Sequence, residues 1–187
     1  MNLANKLTIL RVILIPVFIA VLMIPAIPFN NWIALGIFVI ASFTDMLDGQ
    51  IARKMNMVTN FGKFMDPLAD KLLVCSALLC LMKLDMAPWY LVLVIIFRDF
   101  IISGFRLIAS DRGVVLAANN WGKVKTVFQM VYIGVLLGMM DEHLSAILTL
   151  NIITIVIAWA VLVLTVFSLF VYIYNNYTVL LDEKREK

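Results

Sequence analysis

The chain has 187 residues, of which 64% are hydrophobic and only 14% charged, and its net charge is +3. Soluble domains run at about 45–50% apolar and about 25% charged residues, so an ordinary soluble domain is excluded and no nucleic-acid partner is expected. A mean hydropathy of +1.02, with several apolar runs of the roughly 20 residues a bilayer span requires, indicates an all-α integral membrane protein. Nothing suggests a repeat, a linker or a second domain, so residues 1–187 are expected to form one membrane domain. Cys75 and Cys80 lie in an apolar run, and a spacing of five suits neither a metal knuckle nor a redox pair. They are expected to be free thiols packed as small hydrophobes. A cleaved signal peptide is not expected, because Arg11 interrupts the first apolar run and no small-residue cleavage site follows it.

In chain order, MNLANKLTILR is a short basic opening with Leu3, Leu7 and Leu10 near helical spacing, read as an amphipathic segment. The first span covers residues 8–26 and contains Pro16, which membrane helices tolerate; Pro25, Pro28 and the Asn30–Asn31 pair end it. A second span starts at Trp32 and fades near Arg53, and a third runs from Gly62 to Met82. After the LDMAPW loop, Pro88 stands where a helix begins, and the fourth span covers 88–109. The fifth covers 122–140, MDEH forms a loop, and the sixth covers 146–174, before a charged tail. His143 in that loop is expected to be solvated, and Trp32, Trp89 and Tyr90 to sit at the outer interface, with Trp121 at the inner one.

Six spans put both termini on one side of the membrane. Of the lysines and arginines, twelve fall on that side, only Lys83 on the other, and Lys71 and Arg98 within spans. The positive-inside rule therefore makes the termini cytoplasmic.

The stretch DMLDGQIARKMNMVTNFGKFMDPLAD, residues 45–70, belongs to that same cytoplasmic side. Asp45 and Asp48 are three apart and Asp66 and Asp70 four apart, so each pair shares a helix face. An acid at the centre of a membrane helix costs about 2.5–3.5 kcal/mol on insertion scales. Four bare carboxylates together cost on the order of 10 kcal/mol, comparable with a domain's whole stability margin. A divalent cation in a hydrated cavity offsets that cost. Hard ions such as Mg²⁺ take oxygen ligands from carboxylates and substrate phosphates, and a pair of them can hold both sides of an in-line displacement at phosphorus. Gly49 and Gly62 leave room for a ligand or helix to approach, and Arg53 at the rim offers a fork for phosphate. An ion-pair network with Lys63, Lys71 and Arg98 is the bland alternative, and it does not account for the repeated aspartate–glycine pattern.

Asp45-x2-Asp48-Gly49-x2-Ala52-Arg53-x8-Gly62-x3-Asp66-x3-Asp70 resembles the complete signature of the CDP-alcohol phosphotransferases, with all eight fixed positions present. That family transfers a phosphate-linked group from a CDP-linked donor to an alcohol and releases CMP. The resemblance implies that Asp45, Asp48 and Asp66 ligate metal, with two ions of Mg²⁺ or Mn²⁺ expected. It implies that Asp70 is a general base and also a metal ligand, that Gly49, Ala52, Arg53 and Gly62 line the CDP site, and that the protein is a homodimer.

A second stretch carries Arg98, Arg106, Arg112, Lys123 and Lys125 near the cytoplasmic level. Loop charge of the ordinary positive-inside kind accounts for Arg112 and Lys123. Arg98 lies ten residues into its span and needs a partner or a wet cavity. Asp99 is adjacent and points elsewhere on a helix, so the expected partner comes from another helix. A positive pocket suits an acceptor that carries its own phosphate. The run RDFIISGFR…GVVLAANNWGKVKT also resembles the branch of the family that joins CDP-diacylglycerol to sn-glycerol 3-phosphate to give phosphatidylglycerophosphate, although that branch usually has glutamate where this chain has Asp99. Acceptor-phosphate binding is carried over to Arg106, Lys123, Lys125, Arg98 and Arg112. The alternatives are a synthase for phosphatidylserine, phosphatidylinositol phosphate or cardiolipin, a membrane prenyltransferase, or a non-enzymatic cation transporter.

Overall fold

The structure is a computed structural model that describes residues 3–55, 60–111 and 120–181, with side chains described for 9–44, 71–109 and 120–176. Among these residues every regular element is helical: α1 (Leu3–Met23), α2 (Asn30–Met55), α3 (Asn60–Lys83), α4 (Trp89–Asp111), α5 (Asn120–Met139), α6 (Glu142–Ser145) and α7 (Leu148–Leu181). Each segment read as a span carries one long helix. The apolar stretch Leu148–Asn176 of α7, at 29 residues, is long and apolar enough to cross a membrane, and shorter apolar stretches occupy Ile9–Met23 and Asn30–Thr44. Much of the surface of α7 is apolar and exposed, including Ile152, Ile155, Val156, Trp159, Val163 and Phe170, as a helix facing hydrocarbon requires.

The basic opening is not a separate segment. It continues without a break into the first span, because no breaker stands between Leu3 and Met23 except Pro16, which the helix absorbs. Arg11 is buried on the same stripe as Ile15, Phe18 and Leu22.

Helix ends follow local chemistry. Phe29 adopts positive φ, and its carbonyl accepts the N–H groups of Trp32 and Ile33, which starts α2. Asp85 at φ 57° ends α3, where Met86 N–H reaches Leu81 O and Asp85 N–H reaches Met82 O, the paired bonds of a Schellman cap. The Pro88 carbonyl accepts from Leu91 and Val92 and opens α4. The MDEH loop contains one helical turn, α6, because the Asp141 carboxylate accepts the His143 N–H as an N-cap. His143 is exposed, as are Trp32, Trp89, Tyr90 and Trp121, and neither cysteine forms a disulfide, with Cys80 buried.

The chain groups into two compact units, Met1–Ala87 with Ile133–Leu150, and Pro88–Tyr132 with Asn151–Lys187. In the first, α1 packs on α2 and α3, and α2 touches α3. Ala34, Phe38 and Ala41 make one buried stripe on α2, and the Phe38 ring meets Phe18 of α1 at 6.3 Å. Small residues on either side of a large one let the helices approach closely, and within a bilayer van der Waals packing rather than water exclusion drives that contact. Trp32 Nε1 donates to Asp141 Oδ2 at 3.1 Å and ties the start of α2 to the α5–α6 turn. In the second unit the buried residues include Leu91, Val92, Ile95 and Val161, together with the polar Arg98, Lys125, Gln129, Thr165 and Ser168.

The Trp32 indole and the His143 N–H hold the Asp141 carboxyl below the usual carboxylate range. A lowered folded pKa stabilises the fold above the ordinary aspartate value of about 3.9, and the contribution is lost as pH falls through the lower folded value. The thermal midpoint of the detergent-solubilised protein is therefore expected to include an acid-side loss that Asp141→Asn, which can still cap the turn, does not show. Equal losses in both proteins would mean that this carboxylate carries none of it.

Candidate active site

The eight signature positions fall on two helices. Asp45, Asp48, Gly49, Ala52 and Arg53 lie on α2, and Gly62, Asp66 and Asp70 on α3, with the backbone helical through both stretches. Their side chains lie outside the described residues. Positions 45 and 48 stand within one turn of α2, and positions 66 and 70 about one turn apart on α3, on two helices that touch. This donor set is all carboxylate, and its chemistry fits a hard divalent cation.

The described side chains build a second cluster, in the unit that contains α4. Arg98 and Lys125 are buried, with 8% and 1% of their surface exposed, so neither charge is solvated as a loop cation is. One oxygen, Asp99 Oδ1, accepts from both: Arg98 Nη1 at 2.9 Å and Lys125 Nζ at 2.8 Å. Arg98 Nε donates to Ser168 Oγ of α7 at 3.2 Å, and the Ser168 hydroxyl in turn donates to the Thr165 carbonyl. The cluster thus joins α4, α5 and α7. Its physical cause is the cost of burial, since an unpaired charge in this environment costs several kcal/mol and pairing with added hydrogen bonds recovers most of it.

This corrects the expectation for Arg98. A partner from another helix is present, Ser168, but the adjacent Asp99 is also a partner and carries the charge pairing. Successive helix positions point about 100° apart, yet the long arginine stem bends back far enough to close that angle when the alternative is a bare buried guanidinium.

Gly122 belongs to the same arrangement. A Cβ built there would come within 3.1 Å of Arg98 Nη2, a tight approach that would make the nitrogen give by a few tenths of an ångström. The remaining candidates lie in different settings. The Arg106 guanidinium sits over the Tyr172 ring, 5.9 Å from its centroid, a cation–π contact, and Phe105 meets the same ring edge-on. The Tyr172 hydroxyl is buried without a hydrogen-bond partner among the described residues. Lys123 is exposed, and Arg112 lies outside the described residues. Sequence reasoning missed Ser168 and Gly122. The only signals were two hydroxyl residues three apart in the apolar α7, Thr165 and Ser168, and a glycine in the first turn of α5.

The model of the CDP-alcohol phosphatidyltransferase family matches residues 1–177. The chain is 46% identical over 147 residues to the CDP-diacylglycerol–glycerol-3-phosphate 3-phosphatidyltransferase of Bacillus subtilis, covering 73% of this chain and 76% of that one. Proteins of the same name from Rickettsia felis and Haemophilus influenzae are 40% identical over 171 residues and 38% over 167. Those matches cover 89% and 86% of this chain and 91% and 90% of the relatives.

Ser168→Ala is expected to destabilise the protein by about 1–3 kcal/mol, because it strips a buried charged donor of its acceptor. Thermal unfolding in detergent measures this; an unchanged midpoint would mean that the Arg98–Ser168 bond contributes nothing to the fold.

Proposed function

From membership of the CDP-alcohol phosphatidyltransferase family, to which this chain belongs, we propose that it transfers the phosphatidyl group of CDP-diacylglycerol to sn-glycerol 3-phosphate, giving phosphatidylglycerophosphate and CMP. The observation that carries the reading is the agreement between the full aspartate–glycine signature on α2 and α3 and relatives named for this one reaction across the greater part of the chain.

Asp45, Asp48 and Asp66, with Asp70, would hold two Mg²⁺ or Mn²⁺ ions. Such ions, when bound, neutralise the diphosphate of the donor and the charge left on departing CMP. Arg53 grips a donor phosphate with its planar fork, and Gly49, Ala52 and Gly62 leave room for the CDP moiety. Asp70 takes the proton from the 1-hydroxyl of glycerol 3-phosphate as that oxygen attacks the phosphorus bearing diacylglycerol. The new P–O bond forms as the bond from that phosphorus to the CMP phosphate oxygen breaks, and CMP leaves. Arg98 and Lys125 bind the acceptor's own phosphate, with Arg106, Lys123 and Arg112 as further cations for it.

The protein sits in the cell membrane with six spans, a basic amphipathic opening to α1, cytoplasmic termini and a cytoplasmic-facing active site. What supports this is the lysine and arginine distribution together with the six long helices among the described residues. A donor whose acyl chains stay in the bilayer calls for a site at the inner-leaflet rim. A homodimer is the assembly that the family implies.

Asp70→Asn is expected to keep the fold and lower CMP release from CDP-diacylglycerol and glycerol 3-phosphate by at least about 10²–10⁴-fold, the usual contribution of a general base. Near-normal turnover in that variant would remove Asp70 from the mechanism. EDTA is expected to stop the wild-type reaction and added Mg²⁺ to restore it; turnover that resists chelation would overturn the metal assignment.

A further inference from the structure

Two buried cations on one carboxylate oxygen make an arrangement whose geometry can be followed atom by atom. Asp99 Oδ1 takes one nitrogen from Arg98 and the ammonium of Lys125, and Ser168 takes the arginine Nε. Two of the three guanidinium nitrogens are therefore fixed, and Nη2 is left over. That nitrogen has no hydrogen bond to any described residue, and it lies against a position of α5 where a side chain would crowd it, Gly122. A guanidinium pinned at two nitrogens cannot swing away from a phosphate it meets through the third, so little rotational freedom remains to be lost on binding. Lys125 is held by the same oxygen, so its charge has a set direction as well.

We propose that Asp99 is the positioning residue of the acceptor-phosphate pocket: it locks Arg98 and Lys125 onto one oxygen so that Arg98 Nη2, in the clearance left by Gly122, meets the phosphate of the acceptor. The inference rests on the reading of Arg98 and Lys125 as acceptor-phosphate ligands given above. It adds that a residue which bears the wrong charge to touch phosphate sets the selectivity for a phosphorylated alcohol, and that a missing side chain on the neighbouring helix is part of the same device.

The test is steady-state kinetics on purified wild type, Asp99→Asn, Asp99→Glu and Gly122→Ala, varying glycerol 3-phosphate and CDP-diacylglycerol separately. Asp99→Asn is expected to raise the KM for glycerol 3-phosphate by about tenfold or more, the effect of one misdirected charged hydrogen bond. The KM for CDP-diacylglycerol should stay within about twofold, and Asp99→Glu, which keeps the carboxylate, should recover most of the loss. Gly122→Ala removes no polar group, and its gain in helix propensity opposes the crowding of Arg98 Nη2, which has to give by a few tenths of an ångström, so it is expected to fold. It should raise the same KM by displacing Nη2, and it keeps the proposal testable if Asp99→Asn fails to fold. An unchanged KM for glycerol 3-phosphate in Gly122→Ala and in folded Asp99→Asn would overturn the inference. So would an equal change in both KM values that tracks a lowered thermal midpoint, because that pattern belongs to a purely structural pair. Absence of wild-type turnover with glycerol 3-phosphate would overturn the functional reading itself, and this inference with it, which separates the two failures.

Discussion

Charge in an apolar chain must be compensated where it stands, and that requirement governs this molecule more than any packing rule. With 14% of its residues charged, the protein has few ionic groups to place. It concentrates them: four aspartates on the stretch that α2 and α3 carry, and a buried arginine, lysine and aspartate joining α4, α5 and α7. In the second case the compensation is visible. Lys125 is 1% exposed, and a lysine taken that far from water is kept charged only by partners of opposite sign or strong hydrogen bonds. Asp99 supplies this for Lys125 and Arg98 together, and Ser168 completes the arginine's set. In the first case the proposed function supplies the compensation from outside the chain, through divalent metal and a substrate that brings phosphate, beside Arg53, Lys63 and Lys71 of the same helices.

On the proposed function, the two kinds of compensation divide the chemistry between them. Carboxylates that need metal suit a diphosphate donor, whose leaving group takes on charge as the bond breaks. A pinned guanidinium and ammonium suit a dianionic phosphate that takes no part in bond making and serves only to hold the acceptor. Binding energy from that remote phosphate can then be used to orient the reacting hydroxyl, the usual way in which a non-reacting group contributes to rate. A serine or an unphosphorylated alcohol would offer the proposed pocket nothing to hold.

Much of the fold was legible in the sequence. Turn signals at Pro25–Pro28 and Pro88 mark real helix boundaries, and the apolar run near the C-terminus is the long helix α7. What was not legible is physical in origin. The basic opening reads as a short amphipathic segment ahead of the first span, yet α1 runs straight through it, because side-chain polarity does not break a helix that has no breaker. The turn α6 escaped notice because its N-cap, Asp141, is identified by the bond it makes to the His143 N–H rather than by any periodicity. At the site, spacing alone made readable that the four aspartates form two pairs, each within about one helical turn, and the signature came from resemblance to the family. The Arg98–Asp99 pair was not readable, since helical geometry fixes where a Cβ points but not where a long, flexible side chain ends. Gly122 was unreadable for a related reason: the role of an absent side chain depends on a neighbour from another helix, here Arg98 Nη2.

The most direct test of the account is the choice of acceptor. CMP release by the purified protein with CDP-diacylglycerol and Mg²⁺ should be compared with glycerol 3-phosphate, glycerol, serine, inositol phosphate and phosphatidylglycerol in parallel. Turnover is expected with glycerol 3-phosphate and none with glycerol or serine. Turnover with serine or phosphatidylglycerol, and none with glycerol 3-phosphate, would contradict the account while leaving the aspartate chemistry standing. No CMP with any acceptor, from protein shown to be folded, would contradict the enzymatic reading altogether.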